Sequence, residues 1–323
     1  MTRSIRTYIL WAPVLLLTSW QGTRATAQVP LPHAKPVPRL QVSPQPSSQV
    51  SVRWDGRELT RYHFGESLKR PFLFPINGPA GRSLTRLGNV RDPHGHRHHY
   101  SVWIAHHDVS GINFWTDEGE GRIVHRRAVR FDDGNAVATI EVLNAWNDGT
   151  GKTLMKERRR MTFFPLDDRQ WLLVIELELE PADGDPVTLG KTPFGLIGVR
   201  VATSLSVQDG GGLIRNSGQA TNEKRVFGQH ATWVDYSGPV TTQEREGVTL
   251  MDHPDNPRHP VRFHVRDDGC MGASLTYDAP YSMEHGKPLR LRYGLFVHAG
   301  VPTHQELEQR YREFVERAGR RSQ

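Results

Sequence analysis

Residues 170–180 read QWLLVIELELE. Val174, Ile175, Leu177 and Leu179 alternate there with Glu176, Glu178 and Glu180, and a period of two puts neighbouring side chains on opposite faces of a strand. The stretch therefore reads as part of a sheet with one buried and one wet face. Working outward, residues 136–145, 198–207, 261–265 and 289–298 have strand length and β-branched or aromatic content. Asp132-Asp133-Gly134, Asn147-Asp148-Gly149, Asp209-Gly210-Gly211-Gly212 and Asp267-Asp268-Gly269 supply turns between such runs. One helix stands out. Thr303-x-x-Glu306 has the spacing of a capping box, and Leu307, Tyr311, Phe314 and Val315 follow at helical intervals up to residue 318. There is no internal repeat. Strands this dense, without helices between them, mean an all-β chain folded as a large antiparallel β-sandwich with one C-terminal helix.

Composition narrows the function classes. The chain has 323 residues, 24% of them charged and 37% hydrophobic, which excludes a multi-span membrane protein and a wholly disordered chain. A single Cys excludes an intrachain disulfide framework, a CxxC pair and a Cys-built zinc site. Residues 1–27 read as a signal peptide: Arg3 and Arg6, an apolar run over 8–20, then Ala25-Thr26-Ala27 before Gln28. The run is about 13 residues, short of the roughly 20 that a membrane span needs. Removing 1–27 takes away Arg3, Arg6 and Arg24 and no acid, so the formal charge falls from +6 to +3, too mild and scattered for a nucleic-acid footprint. The expected organisation is a signal at 1–27, a Pro-rich linker at 28–50, a sandwich at 51–302, and a helix and tail at 303–323. The expected location is periplasmic or secreted, with no integral span in the mature chain. The basic run Lys156-Glu157-Arg158-Arg159-Arg160 reads as a solvated strand edge.

Six of the sixteen histidines fall in residues 92–115, DPHGHRHHYSVWIAHHDVSGINFW. If 96–103 is extended, His96 and His98 share one face, about 7 Å apart, and His99, Ser101 and Trp103 the other. Such imidazoles suit acid–base work near neutrality, and with a third ligand they could hold copper or zinc. The metal alternative is His96, His98 and His106, although the sequence requires no cofactor. Asp108 could orient a neighbouring imidazole. Trp103 and Trp115 flank the cluster and could stack on a sugar ring. Farther along, Trp233 and Asp235 lie in GQHATWVDYSG (228–238), and His253 and Asn256 in the polar loop Asp252-His253-Pro254-Asp255-Asn256-Pro257. The bland alternative for each is core packing or a hydrogen-bonded turn.

Taken in order, RPFLFPINGPAG (70–81), GHRHHYSVWIAHHDVSGINFW (95–115), FGLIGVRVA (194–202), NSGQATNEKRVFGQHATWVDYSG (216–238), DHPDNPRHPVRFHVRDDG (252–269) and LRLRYGLFVHAG (289–300) resemble the secreted bacterial "PmoA family", a domain of unknown function of planctomycete type. The resemblance departs at Gly95, where Asp is usual, at His107 for Gly and at Ser110 for Asn. It implies an exported β-rich protein, similar to galactose-mutarotase-like supersandwiches. The leading expectation is a carbohydrate-active enzyme, a hydrolase, lyase or epimerase. Its site would join His98, His99, His106, Asp108, Asp235 and His253 in one cleft, with Trp103, Trp115, Trp233 and Asn256 holding a glycan or small sugar derivative. The alternatives are a glycan-binding or scaffolding module without catalysis and a His-ligated copper or zinc enzyme.

Overall fold

The computed structural model describes residues 36–319. The expected signal at 1–27, residues 28–35 of the expected linker and residues 320–323 of the tail lie outside them. The strands, numbered in chain order, form two large antiparallel sheets. The first has the spatial order β1 (Leu40–Gln45), β2 (Gln49–Trp54), β3 (Arg57–His63), β4 (Phe72–Ile76), β5 (Val102–His106), β11 (Gly195–Arg200), β16 (Cys270–Ser274), β15 (Arg262–Val265). The second runs β12 (Leu213–Asn216), β13 (Trp233–Pro239), β14 (Arg245–Asp252), β18 (Leu289–Ala299), β9 (Trp171–Pro181), β8 (Thr153–Pro165), β7 (Ala138–Asn147), β6 (Arg122–Asp132). A small pair, β10 (Val187–Leu189) with β17 (Tyr281–Met283), stands apart. The all-β sandwich read from the sequence is therefore the fold.

Between the sheets lies the main core. Val52, Ile104, Val199 and Met271 of the first sheet pack with Ile140, Met161, Ile175 and Leu295 of the second. Both ends of β9 explain the opening stretch. Ile175, Leu177 and Leu179 face that core, whereas Leu172 and Val174 emerge on the opposite face. Val174 thus shares a side with Glu176 and is buried for a different reason: the C-terminal helix His304–Gly319 lies over it, inserting Leu307, Phe314 and Ala318. Its capping box is formed, with Glu306 Oε2 accepting from Thr303 N at 2.6 Å and Thr303 Oγ1 accepting from Glu306 N at 3.3 Å. Among the described residues no helix is long and apolar enough to cross a membrane.

Three expectations change. Residues 40–50 are not linker: β1 and β2 pair there, with Leu40 and Val50 fully buried, and Pro44 is tolerated because β1 is an edge strand. Residues 201–207 do not continue β11, which ends at Arg200. The basic run is not an edge either, since β8 pairs with β7 on one side and β9 on the other. Strand alternation sends Arg158 outward and turns Glu157 and Arg159 into the core. There Arg159 Nε donates to Glu157 Oε1 at 2.6 Å, Trp146 Nε1 to Oε2 at 2.6 Å and Asn144 Nδ2 to Oε1 at 2.9 Å. Tyr62 of β3 joins across the sheets through Asn144 at 3.4 Å. Truncating Glu157 strands a buried cation, so Glu157→Ala is expected to cost about 3–5 kcal/mol in urea unfolding, and Glu157→Met with Arg159→Met to recover most of it. An unchanged midpoint in Glu157→Ala would refute this role for the pair.

Candidate functional site: an imidazole-lined cavity

The site begins with a row of residues paired across five strands: Phe72, Trp103, Gly198, Gly272 and His264. Partners in register share a face, and this row lies on the outer face of the first sheet, because Tyr62, Leu73, Val102, Val199 and Met271 occupy the inner one. Gly198 leaves room for the Trp103 indole, which a Cβ there would meet at 2.4 Å. The indole is capped by His99, stacked at 5.4 Å between ring centroids, and flanked by Trp115 at 5.2 Å.

His99 reaches that position because residues 92–99 form turns rather than a strand. Asp92 organises them: its Oδ1 accepts from Gly95 N at 2.7 Å and its Oδ2 contacts His96 Nδ1 at 2.5 Å. Folding the loop gathers three rings, with centroids of His96–His99 at 5.1 Å and His98–His99 at 4.5 Å. The expected two-faced strand of histidines is thus replaced by one cluster. It opens on a cavity of about 530 Å³, within the usual size for small-molecule sites, walled by Trp115 and Phe194 and bounded opposite by His264 and Asp267.

Burial keeps the cavity imidazoles of His98, His99 and His264 neutral. Burial, with the Arg70 guanidinium alongside, brings His98 down to about 4. Burial and the adjacent Arg266 do the same to His264, also to about 4, and burial with His98 and Arg200 nearby puts His99 lower still. Asp267 moves the other way, raised by burial and then by Glu223. Burial pushes its neighbour Asp268 up as well, but the hydrogen bond and charge of Arg200 outweigh it and the carboxyl ends below its ordinary range. Four lining groups have a buried polar atom without a partner among the described residues: His98 Nδ1, His99 Nδ1, His264 Nδ1 and Asp267 Oδ1. Buried polar groups are ordinarily paired, so a concentration of unpaired ones on one cavity marks a place built for a ligand. A hollow of 520 Å³ on the second sheet, ribbed by Lys156, Arg158, Glu178 and Glu180, has no such atom among its lining residues.

The other expected site residues do not converge here. His106 sits on the opposite face of β5 from Trp103, with Nε2 at 2.8 Å from Thr276 Oγ1 and Nδ1 accepting from Asp108 N at 3.0 Å. Both ring nitrogens are engaged, so the metal set His96, His98 and His106 does not form. Among the described residues no group of three or more His, Cys, Asp or Glu is arranged to hold a metal. Asp108 is a turn residue, accepting from Gly111 N at 2.8 Å. Trp233, Asp235, His253 and Asn256 lie on the far side of the molecule. Asp235 is on the outer face of the second sheet, bonded to His298 Nε2 at 2.9 Å, Arg215 Nη2 at 2.6 Å, Ser237 and Thr249. Trp233 Nε1 donates to Glu308 of the C-terminal helix at 2.7 Å, and His253 packs edge-on to Phe314. Asn256 ties Asp252 to the backbone of Arg292. Two sheets separate these groups from His98, and the single cleft joining all six catalytic candidates is therefore overturned.

His264, Asp267, Asp268, Glu223 and Phe194 belong to the cavity and were not singled out in the sequence as site residues. Their signal was available: His264 interrupts the apolar strand VRFHV (261–265), and the acids form a turn directly after it.

An antiparallel sandwich with a ligand-sized, imidazole-lined cavity on one outer face is the class of protein this defines. The chain belongs to the family of unknown function DUF6807, whose model matches residues 49–312. Nothing in that description carries the PmoA label or the planctomycete origin that the resemblance implied. No curated protein matches the chain. Among solved structures it is similar to a GalM/aldose epimerase homologue from C. elegans, at 8% identity and TM-score 0.36, over 80% of this chain and 98% of that one. It is similar to a heparinase III at 10% identity and TM-score 0.35, over 84% of this chain and 36% of that one. A protein described as a kojibiose phosphorylase, from the human microbiome, is similar at 8% identity and TM-score 0.33, over 88% of this chain and 37% of that one.

The buried imidazoles make stability depend on pH with a definite sign. His98 and His264 take up protons near pH 4 when folded and near 6.5 when unfolded. Between those values the unfolded chain binds more protons, so stability falls as pH drops below about 6.5 and levels off below about 4. Urea midpoints measured from pH 7.5 to 4 should decline, and His98→Asn with His264→Asn should flatten the decline by on the order of 2–3 kcal/mol per site.

Proposed function

We propose that the protein is an exported carbohydrate-active protein whose cavity binds one sugar unit, with acid–base chemistry supplied by Asp267 and the neutral imidazoles of His98 and His264. The supporting observation is the set of four unpartnered buried polar atoms on one cavity. A neutral imidazole offers one donor and one acceptor, as a sugar hydroxyl does, so His98, His99 and His264 can each exchange hydrogen bonds with a polyhydroxylated ring. Trp115 and Phe194 present flat apolar surface to its C–H face. Asp267 and Asp268 are neighbouring carboxyls driven in opposite directions. Of the two, Asp267 is the one we read as the proton donor, with Asp268 held against Arg200.

In the reaction, Asp267 delivers a proton to a sugar oxygen while an imidazole accepts one from a hydroxyl or an acidic carbon. The same geometry serves glycosidic cleavage, elimination and epimerisation. One observation favours a second reading, binding without turnover: imidazoles held near pKa 4 are weak bases at neutral pH.

Calorimetric titration with a panel of mono- and disaccharides, paired with product analysis, separates the two. His98→Ala and His264→Ala should each weaken binding about tenfold, the worth of a lost hydrogen bond in a dry site. Asp267→Asn should bind but show no turnover. Unaltered binding in both histidine variants would overturn the cavity as the sugar site. Undiminished turnover in Asp267→Asn would remove its acid role, and binding with no turnover in the parent protein would establish the second reading. The proposed location is the periplasm or the exterior. N-terminal sequencing of protein recovered from those fractions should begin at Gln28, and an intact Met1 there would refute cleavage.

A further inference from the structure

One buried group lies behind the cavity wall, and the reading above uses it only as the partner of Asp268. Arg200 closes β11 and is fully buried. It stands two residues beyond Gly198 on the same outer face, and its partner in register is Cys270, which lines the cavity. Arg200 Nη1 donates to Asp268 Oδ1 at 2.8 Å. Its Nε and Nη2 find no oxygen acceptor among the described residues, and the guanidinium lies within reach of the Cys270 thiol. These two nitrogens form one side of the planar guanidinium, where parallel N–H bonds match the two oxygens of a carboxylate. A buried cation with that edge empty is costly unless something arrives to fill it.

The surrounding charges leave the edge free. Glu223 is committed, its Oε1 to Arg266 Nη1 at 2.9 Å and its Oε2 to Asp267 N at 2.6 Å. Asp268 spends Oδ1 on Arg200 and the Cys270 backbone, and Oδ2 on Asn89. Asp209 is paired with Arg91. A second guanidinium, Arg86, lies close by and donates to the backbone oxygens of Val201 at 3.0 Å and Asp268 at 2.9 Å. Burial and the charge of Arg200 bring Arg86 down to about 10. Two guanidiniums thus lie beside Asp268, and its carboxylate bonds only that of Arg200.

We infer that the sugar taken by this cavity carries a carboxylate, as a uronic acid does, and that the carboxylate seats on the Nε/Nη2 edge of Arg200. The inference rests on the sugar-binding reading and narrows its substrate class. A neutral sugar would leave the edge empty. A sulfate or phosphate ester would offer a tetrahedral group in place of the planar pair.

The test titrates the purified protein with methyl glycosides and short oligomers of glucuronic and galacturonic acids. The matched neutral sugars, the uronate methyl esters and sulfated sugars are titrated in parallel. The free acids should bind at least tenfold tighter than their esters and their neutral counterparts. Arg200→Lys keeps the charge and loses the fork, so it should lower uronate affinity at least tenfold further than it lowers neutral-sugar affinity. The acid-against-ester comparison uses the unaltered protein and stands even if that variant fails to fold. Equal binding of acids, esters and neutral sugars would overturn the carboxylate and leave the sugar site standing. Sulfated sugars binding as tightly as uronates would overturn the planar fork. If neither acids nor neutral sugars bind, the sugar reading itself fails and this inference falls with it.

Discussion

The indole of Trp103 lying across Gly198 is the contact on which the functional half of the molecule depends. A large aromatic ring on the outer face of a sheet must be covered, and the glycine beneath lets it lie flat instead of standing into solvent. What covers it is the turn loop of residues 92–99 and the segment bearing Trp115. Covering the indole therefore carries His99, and with it His98 and His96, to the rim of a cavity. Gly272, next in the row, adds no side chain to the floor, and His264 closes the far side. Packing and site construction are one event here.

The two outer faces of the sandwich are finished differently. On the second sheet the C-terminal helix seals Leu172, Val174, Trp233 and Phe296, and the Asp235 carboxylate on that face is bonded within the protein. Asp235 illustrates this best: burial alone would raise it, yet His298 and Arg215 hold it well below the ordinary carboxylate range. Both oxygens of its carboxylate are taken up by protein groups. On the first sheet, four buried polar atoms around the cavity have no partner among the described residues. That contrast separates structural histidines from candidate functional ones better than their position in the chain, since His106 and His99 lie seven residues apart and fall on opposite sides of it.

Much of the fold was legible because sheet burial has a short period. The alternation in residues 175–180 named the inner face of β9, and the capping box at Thr303 and Glu306 named the start of the helix that covers its other end. Errors came where a side chain's surroundings are set by distant strands. The run at 156–160 looks solvated by charge, yet Glu157 and Arg159 lie in the core because β8 has neighbours on both sides. The Pro-rich stretch before residue 50 looks like a tether, yet Leu40 and Val50 are buried because β1 finds β2 to pair with.

For the site, the sequence by itself determined that imidazoles, acids and tryptophans are concentrated at 92–115, and that an all-β body displays them. It did not determine which of them meet. Residue spacing fixes a face only within one strand, and the loop at 92–99 is not a strand. His264, Asp267 and Arg200 come from segments that approach His98 only through the pairing of β5, β11, β16 and β15. His253 and Asp235 are kept away by the thickness of two sheets. Only the tertiary structure decided that division, because strand pairing joins residues without regard to their separation along the chain.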